Sequence, residues 1–161
     1  MGANVELVRQ GMGSDPRIGY QFIYPGADYG GSRFATDGRA LDYLAKQSGT
    51  HALILLAVHT TNECQKQKLA EQVNARLGAD LTGRTIAVCG LSFALNTDDM
   101  REAPNQTLLE TIWAAGGKVN AFDPQAMEAC TAIYGPRDDM QCGATKEEAL
   151  DSADCLVICI E

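Results

Sequence analysis

The residues with chemical potential gather first in the stretch Tyr24-Pro-Gly-Ala-Asp-Tyr-Gly-Gly-Ser-Arg-Phe-Ala-Thr-Asp37. Asp37 supplies a carboxylate, Thr36 a hydroxyl and Arg33 a guanidinium whose charge is permanent. Gly26, Gly30 and Gly31 allow a close approach to the backbone, because glycine adopts angles that other residues avoid. Tyr29 and Phe34 flank them with aromatic surface. The stretch holds no Cys, His or Lys that could attack a carbonyl. Its composition suits holding a ligand and lacks a nucleophile.

Other candidates are weaker. The six cysteines, Cys64, Cys89, Cys130, Cys142, Cys155 and Cys159, form no C-x-x-C pair and have no histidine beside them. They read as buried, reduced thiols of a cytoplasmic protein, and no metal site is expected. His51 and His59 lack a carboxylate at metal spacing and read as helix-surface or packing residues. Asp98-Asp99 reads as a solvated turn.

These residues need elements to hold them. A short helix is expected over 3–12, with Val5 and Val8 on one face, closed by Gly11 or Gly13. Ser14-Asp15-Pro16 is turn chemistry. A loop spans 20–35, and Asp37 is expected to open a helix running to about Ser48, with Leu41, Leu44 and Ala45 at helical spacing. A long helix is expected over 51–77, its front half apolar enough to be buried broadly and its back half amphipathic through Leu69, Val73 and Leu77. Such a helix is either a spine between lobes or a dimer seam.

Beyond Gly78-Ala-Asp-Leu-Thr-Gly83 the pattern changes. Apolar runs at 84–90, 118–124 and 154–160 alternate with helical patterns at 103–117 and 126–135. Met140-Gln-Cys-Gly143 suggests a short strand, and Thr145-Lys-Glu-Glu148 is a capping box. Alternation of this kind predicts parallel strands with right-handed crossovers. The fold class is therefore α/β: a helical segment over 1–78, then a truncated, Rossmann-like, three-layer half with a parallel sheet over 79–161. In open α/β sheets ligands sit off the carboxyl ends of the strands, here the loop 90–104 and Asp123-Pro124, with an anion favoured at the following helix N-terminus. The G-x-G-x-x-G spacing is absent from that loop.

Bulk properties narrow the partners. The 161 residues are 45% hydrophobic and carry a formal charge of −8, which argues for a real core and against nucleic acid. The longest apolar run, 52–58, is far short of the ~20 residues of a membrane helix.

Several motifs in register carry a resemblance. Val8-Arg-Gln-Gly-Met-Gly-Ser-Asp-Pro-Arg-Ile-Gly-Tyr-Gln-Phe-Ile-Tyr-Pro-Gly26, the Tyr-Gly-Gly-Ser of 29–32 with Phe34 and Asp37, Asn96-Thr-Asp-Asp-Met-Arg-Glu-Ala-Pro104 and Ala121-Phe-Asp-Pro124 together resemble the UDP-glucose 6-dehydrogenase family, within the nucleotide-sugar dehydrogenases that include GDP-mannose dehydrogenases. The resemblance runs along essentially the whole chain. It implies the end of a central, dimer-forming helical domain followed by the first part of a domain that holds a UDP-sugar. Family enzymes oxidise a sugar C6 alcohol to a carboxylate with two NAD, through a cysteine thioester. The family loop reads Gly-Gly-Ser-Cys-Phe-Pro-Lys-Asp; here Arg33 stands at the nucleophile position and Thr36 at the lysine position, while Asp37 matches the water-orienting carboxylate. Ala94 stands where the family has a phosphate-contacting lysine. The resemblance further implies that Tyr29, Gly30 and Gly31 wrap the sugar near Gly26, that Phe22 and Tyr24 lie on its approach strand, that Arg17 reaches a partner subunit's sugar, and that Arg101 contacts the cofactor.

The family's N-terminal NAD domain has no counterpart among these residues, so the chain alone is expected to bind no cofactor. The expected function is that of a truncated, catalytically inactive homologue that keeps the fold and a weak nucleotide-sugar site. The alternative is the C-terminal half of a split dehydrogenase, completed by a separate NAD-binding chain. A homodimer through 51–77 is expected, because that helix and the final strand both present apolar surface in need of cover.

Overall fold

The computed structural model describes residues 2–159. Helix α1 (Val5–Gly13) is capped by Asn4, whose Oδ1 accepts the N–H groups of Glu6 and Leu7. Residues 14–30 form neither helix nor strand. Helix α2 (Gly31–Gln47) then begins well before Asp37, where the sequence suggested it would. Nothing in Ser32 to Thr36 opposes a helix, and two glycines make the reversal into it: Gly30 at φ +99° and Gly31 at φ +57°. A Cβ on Gly31 would stand 3.0 Å from the Phe93 ring, so this residue packs directly against the second half of the chain.

The single helix expected over 51–77 is two. Helix α3 (Leu53–Lys66) and α4 (Lys68–Leu77) meet at Gln67, where φ −74° and ψ −16° bend the path without ending it. The two pieces serve different surfaces. Helix α3 packs on α2, whereas Ala70 and Val73 of α4 enter the core beneath the sheet. Packing therefore joins α4 to the second half, although the composition changes only after Gly78. The front half of the predicted helix is not buried by this chain. Leu53, Leu56 and Val58 are exposed and Ile54 is 80% exposed.

The second half follows the expected alternation: β1 (Thr85–Cys89), α5 (Pro104–Ala114), β2 (Lys118–Phe122), α6 (Met127–Tyr134), β3 (Met140–Cys142), α7 (Lys146–Leu150) and β4 (Cys155–Ile158). The strands are all parallel in the order β3-β2-β1-β4, with Val88 opposite both Ala121 and Val157. Right-handed crossovers put α5 and α6 on one face and α7 on the other. Alternation along β2 agrees: Val119 and Ala121 face the core shared with Leu108, Leu109 and Ile112, while Asn120 between them donates to the Asp151 carbonyl just past α7. Pro104 occupies the first turn of α5, where its missing N–H costs nothing. Thr145 accepts the Glu148 N–H, and the Glu148 carboxylate answers at the Ala144 N–H, one residue upstream of a standard capping box. Strand β4 is a sheet edge with Val157 buried and Leu156 and Ile158 exposed; Ile160, part of the expected strand, lies outside the described residues.

Candidate functional site

The glycine-rich stretch hangs from α3. Asn62, Gln65 and Lys66 share one helix face. The Tyr29 N–H donates to Asn62 Oδ1 at 2.8 Å, and Gln65 Nε2 donates to the Gly26 carbonyl at 3.0 Å. Within the stretch, the Gly30 N–H donates to Asp28 Oδ1 at 2.9 Å. Burial pushes the Asp28 pKa above its ordinary value, partly offset by that bond and by the nearby Lys66 charge.

Two cavities flank Tyr29. One, of about 400 Å³, is lined by Tyr29, Phe34, Asp37, Leu41 and His59, with the Tyr29 and Phe34 rings edge to face at 6.3 Å. The other, of about 660 Å³, is lined by Tyr24, Gly26, Tyr29, Asn62 and Gln65. Tyr24 and Gly26 thus line the larger cavity and Asp37 the smaller, with Tyr29 shared between them and the turn at Gly30 and Gly31 next to it in the chain. His59, read there as a packing residue, faces the first cavity.

The other sequence-derived residues stand apart. Arg33 and Thr36 are exposed in the first two turns of α2, and among the described residues Arg33 makes no hydrogen bond or ion pair. Arg17 is exposed and held by both oxygens of Asp15. Arg101 is likewise held by both oxygens of Asp99, at 2.9 and 2.7 Å. Phe22 is 97% exposed at φ +61°, and Tyr24 lies under the Arg9 guanidinium at 4.7 Å. No strand forms around them, so the implied approach strand is an irregular segment ordered by Arg9 and turn geometry.

At the carboxyl ends of β1, β2 and β4, a cavity of about 270 Å³ is lined by Gly90, Leu95, Asn96, Lys146 and Ile158. An anion is not readily accommodated at the β1–α5 turn. The N–H groups of Leu91 and Ser92 already donate to Asp123 Oδ2, and those of Gln125 and Ala126 to its Oδ1. Asp123 is 4% exposed; burial alone would raise its pKa, but the four N–H groups outweigh that and hold it below its ordinary value. With those donors taken and no glycine spacing after β1, the residues present do not fit a dinucleotide such as NAD.

No cysteine lines either cavity beside Tyr29. Burial pushes the thiols of Cys130 and Cys159 up to about 12 and raises that of Cys89. Cys64 and Cys142 are exposed, against the expectation of burial. Among the described residues, no group of three or more His, Cys, Asp or Glu is placed to hold a metal ion, and no helix is long and apolar enough to cross a membrane.

Residues 1–64 match the UDP-glucose/GDP-mannose dehydrogenase family, central domain, and residues 87–161 match the same family's UDP binding domain. The chain belongs to the UDP-glucose/GDP-mannose dehydrogenase family. This member is similar to the UDP-glucose 6-dehydrogenase of Pseudomonas aeruginosa, at 42% identity over 99% of the chain and 36% of that protein. Against the UDP-glucose 6-dehydrogenase of Rhizobium meliloti, identity is 37% over 100% of the chain and 36% of the relative. A solved UDP-glucose dehydrogenase from the archaeon Pyrobaculum islandicum superposes with a TM-score of 0.89 at 31% identity, covering 99% of the chain and 36% of its own. The chain thus spans about a third of the length of the relatives it matches.

Sequence reasoning missed Asn62, Gln65 and Lys66, which suspend the loop, Phe93, which meets Gly31, and Asp123, which closes the β1–α5 turn. The polar trio did leave a signal: it recurs at helical spacing at the end of an otherwise apolar helix.

Proposed function

We propose that this family member holds a nucleotide sugar in the cradle around Tyr29, Gly30 and Gly31 without oxidising it. One observation carries the reading: Arg33 occupies the position at which the resemblance puts a nucleophilic cysteine, on the first turn of α2 and one residue before Phe34, which lines the smaller cavity. A guanidinium cannot add to an aldehyde and leave as a thiolate does, so the covalent stage of oxidation has no residue to run on. The retained glycine turn, the aromatic pair and Asp37 support continued binding. Ala94 in place of a lysine removes a charge-assisted contact of about 1.5–3 kcal/mol, or about one to two decades of affinity. Titrating the chain with UDP-glucose in a calorimeter is expected to give heat that saturates below about 1 mM; a flat titration would reduce the role to that of a scaffold.

A second reading is a split dehydrogenase, completed by an NAD-binding portion on a separate chain. Arg33 speaks against oxidation in that arrangement too. In either case we propose a homodimer through the exposed apolar face of α3, where Leu53, Ile54, Leu56 and Val58 need cover.

A further inference from the structure

A lysine with only 4% of its surface exposed closes α3. Burying an ammonium is costly unless carboxylates answer it. Lys66 has two, Glu63 Oε1 at 3.0 Å and Glu102 Oε2 at 3.5 Å. Burial would push its pKa down, but the two carboxylates outweigh that and keep it charged. Glu63 is its own helix neighbour. Glu102 is not: it comes from the loop between β1 and α5, with its backbone at φ +58°, a region that residues with a Cβ seldom visit. The other oxygen of Glu102 accepts from Arg39 of α2 at 3.0 Å. One carboxylate therefore ties α2, α3 and the β1–α5 loop together.

The same face of α3 carries Asn62, 5% exposed, and Gln65, whose side chains hold Tyr29 and Gly26. Asp28, which accepts the Gly30 N–H, lies within reach of the Lys66 charge. Lys66 thus stands between the glycine loop and Glu102.

We propose that Lys66 is a positioning residue: clamped by Glu102, it fixes the face of α3 that suspends the glycine loop, and so couples that loop to the β1–α5 loop. The benefit to a ligand rests on the nucleotide-sugar reading above; the coupling itself does not. Amide hydrogen exchange on the intact chain without ligand tests it, since the Tyr29 and Gly30 N–H groups are both hydrogen-bonded. Val119 and Gly143, whose N–H groups donate to the carbonyls of Asp139 and Ala121, report on the sheet. In Glu102→Gln and Lys66→Met, Tyr29 and Gly30 are expected to exchange at least about tenfold faster while Val119 and Gly143 change far less. Lys66→Arg, which keeps the charge, is expected to restore slow exchange at the loop. Unchanged loop exchange in Glu102→Gln, or acceleration only in step with the sheet amides, would overturn the proposal. So would a Lys66→Arg loop as fast as that of Lys66→Met. If Lys66→Met does not fold, Glu102→Gln and Lys66→Arg decide the matter. Failure of UDP-glucose to bind would leave this result untouched, so the two claims fail separately.

Discussion

Asp123 and Arg33 are opposite cases of a charge placed near a helix start. Asp123 is buried with four N–H donors around it, and its role is to hold two βα turns. Its folded-state pKa is depressed below the ordinary value of 3.8. Its contribution to stability is therefore fully present above that value and is lost as pH falls through the lowered folded one. Asp123→Asn is expected to cost about 1–3 kcal/mol at neutral pH, since a neutral amide oxygen accepts more weakly and leaves donors unmet. Denaturant unfolding of the two proteins should converge as pH drops below the carboxylate range. A gap that persists unchanged into acid would show that the carboxylate's charge is not what matters. Arg33, by contrast, has no partner among the described residues and sits where the helix dipole disfavours a cation. Its proposed significance is therefore chemical rather than structural.

Among the elements, the α/β half was legible and the helical half less so. Strand β1 betrays itself as a β-branched run ending in Gly, β2 by its closing Asp-Pro and β4 by an unbroken apolar run, and Pro104 and Thr145 announce two helix starts. The start of α2 was hidden because Gly30 and Gly31 read as loop, whereas here they make the turn that admits the helix. The bend at Gln67 left no trace in sequence, because no Pro or Gly marks it; α3 packs on both α2 and α5, while α4 packs on α5 alone of these and sends Ala70 and Val73 into the core. Periodicity also cannot tell a helix buried by its own chain from one awaiting another. The apolar face of α3 is open here, which motivates the proposed dimer seam. Ile54→Asp, at a residue 80% exposed, is expected to leave the monomer fold intact and abolish dimers. Sedimentation at micromolar concentration checks this; a wild-type chain already monomeric would remove the seam.

At the scale of the whole molecule, two halves meet at the glycine turn. Gly31 touches Phe93, and Glu102 ties the β1–α5 loop to α2 and α3. What suspends the glycine stretch was not legible, because Asn62, Gln65 and Lys66 are distant from it in sequence and their helical spacing alone names no target. Arg17, Phe22 and Arg101 each stand in solvent, the arginines held by neighbouring aspartates. The decisive measurement is formation of NADH and UDP-glucuronate from UDP-glucose and NAD by the purified chain, alone and with an added NAD-binding domain from a relative. With Arg33 in place of a nucleophile, neither product is expected above the blank in either mixture; steady accumulation of both would contradict the account.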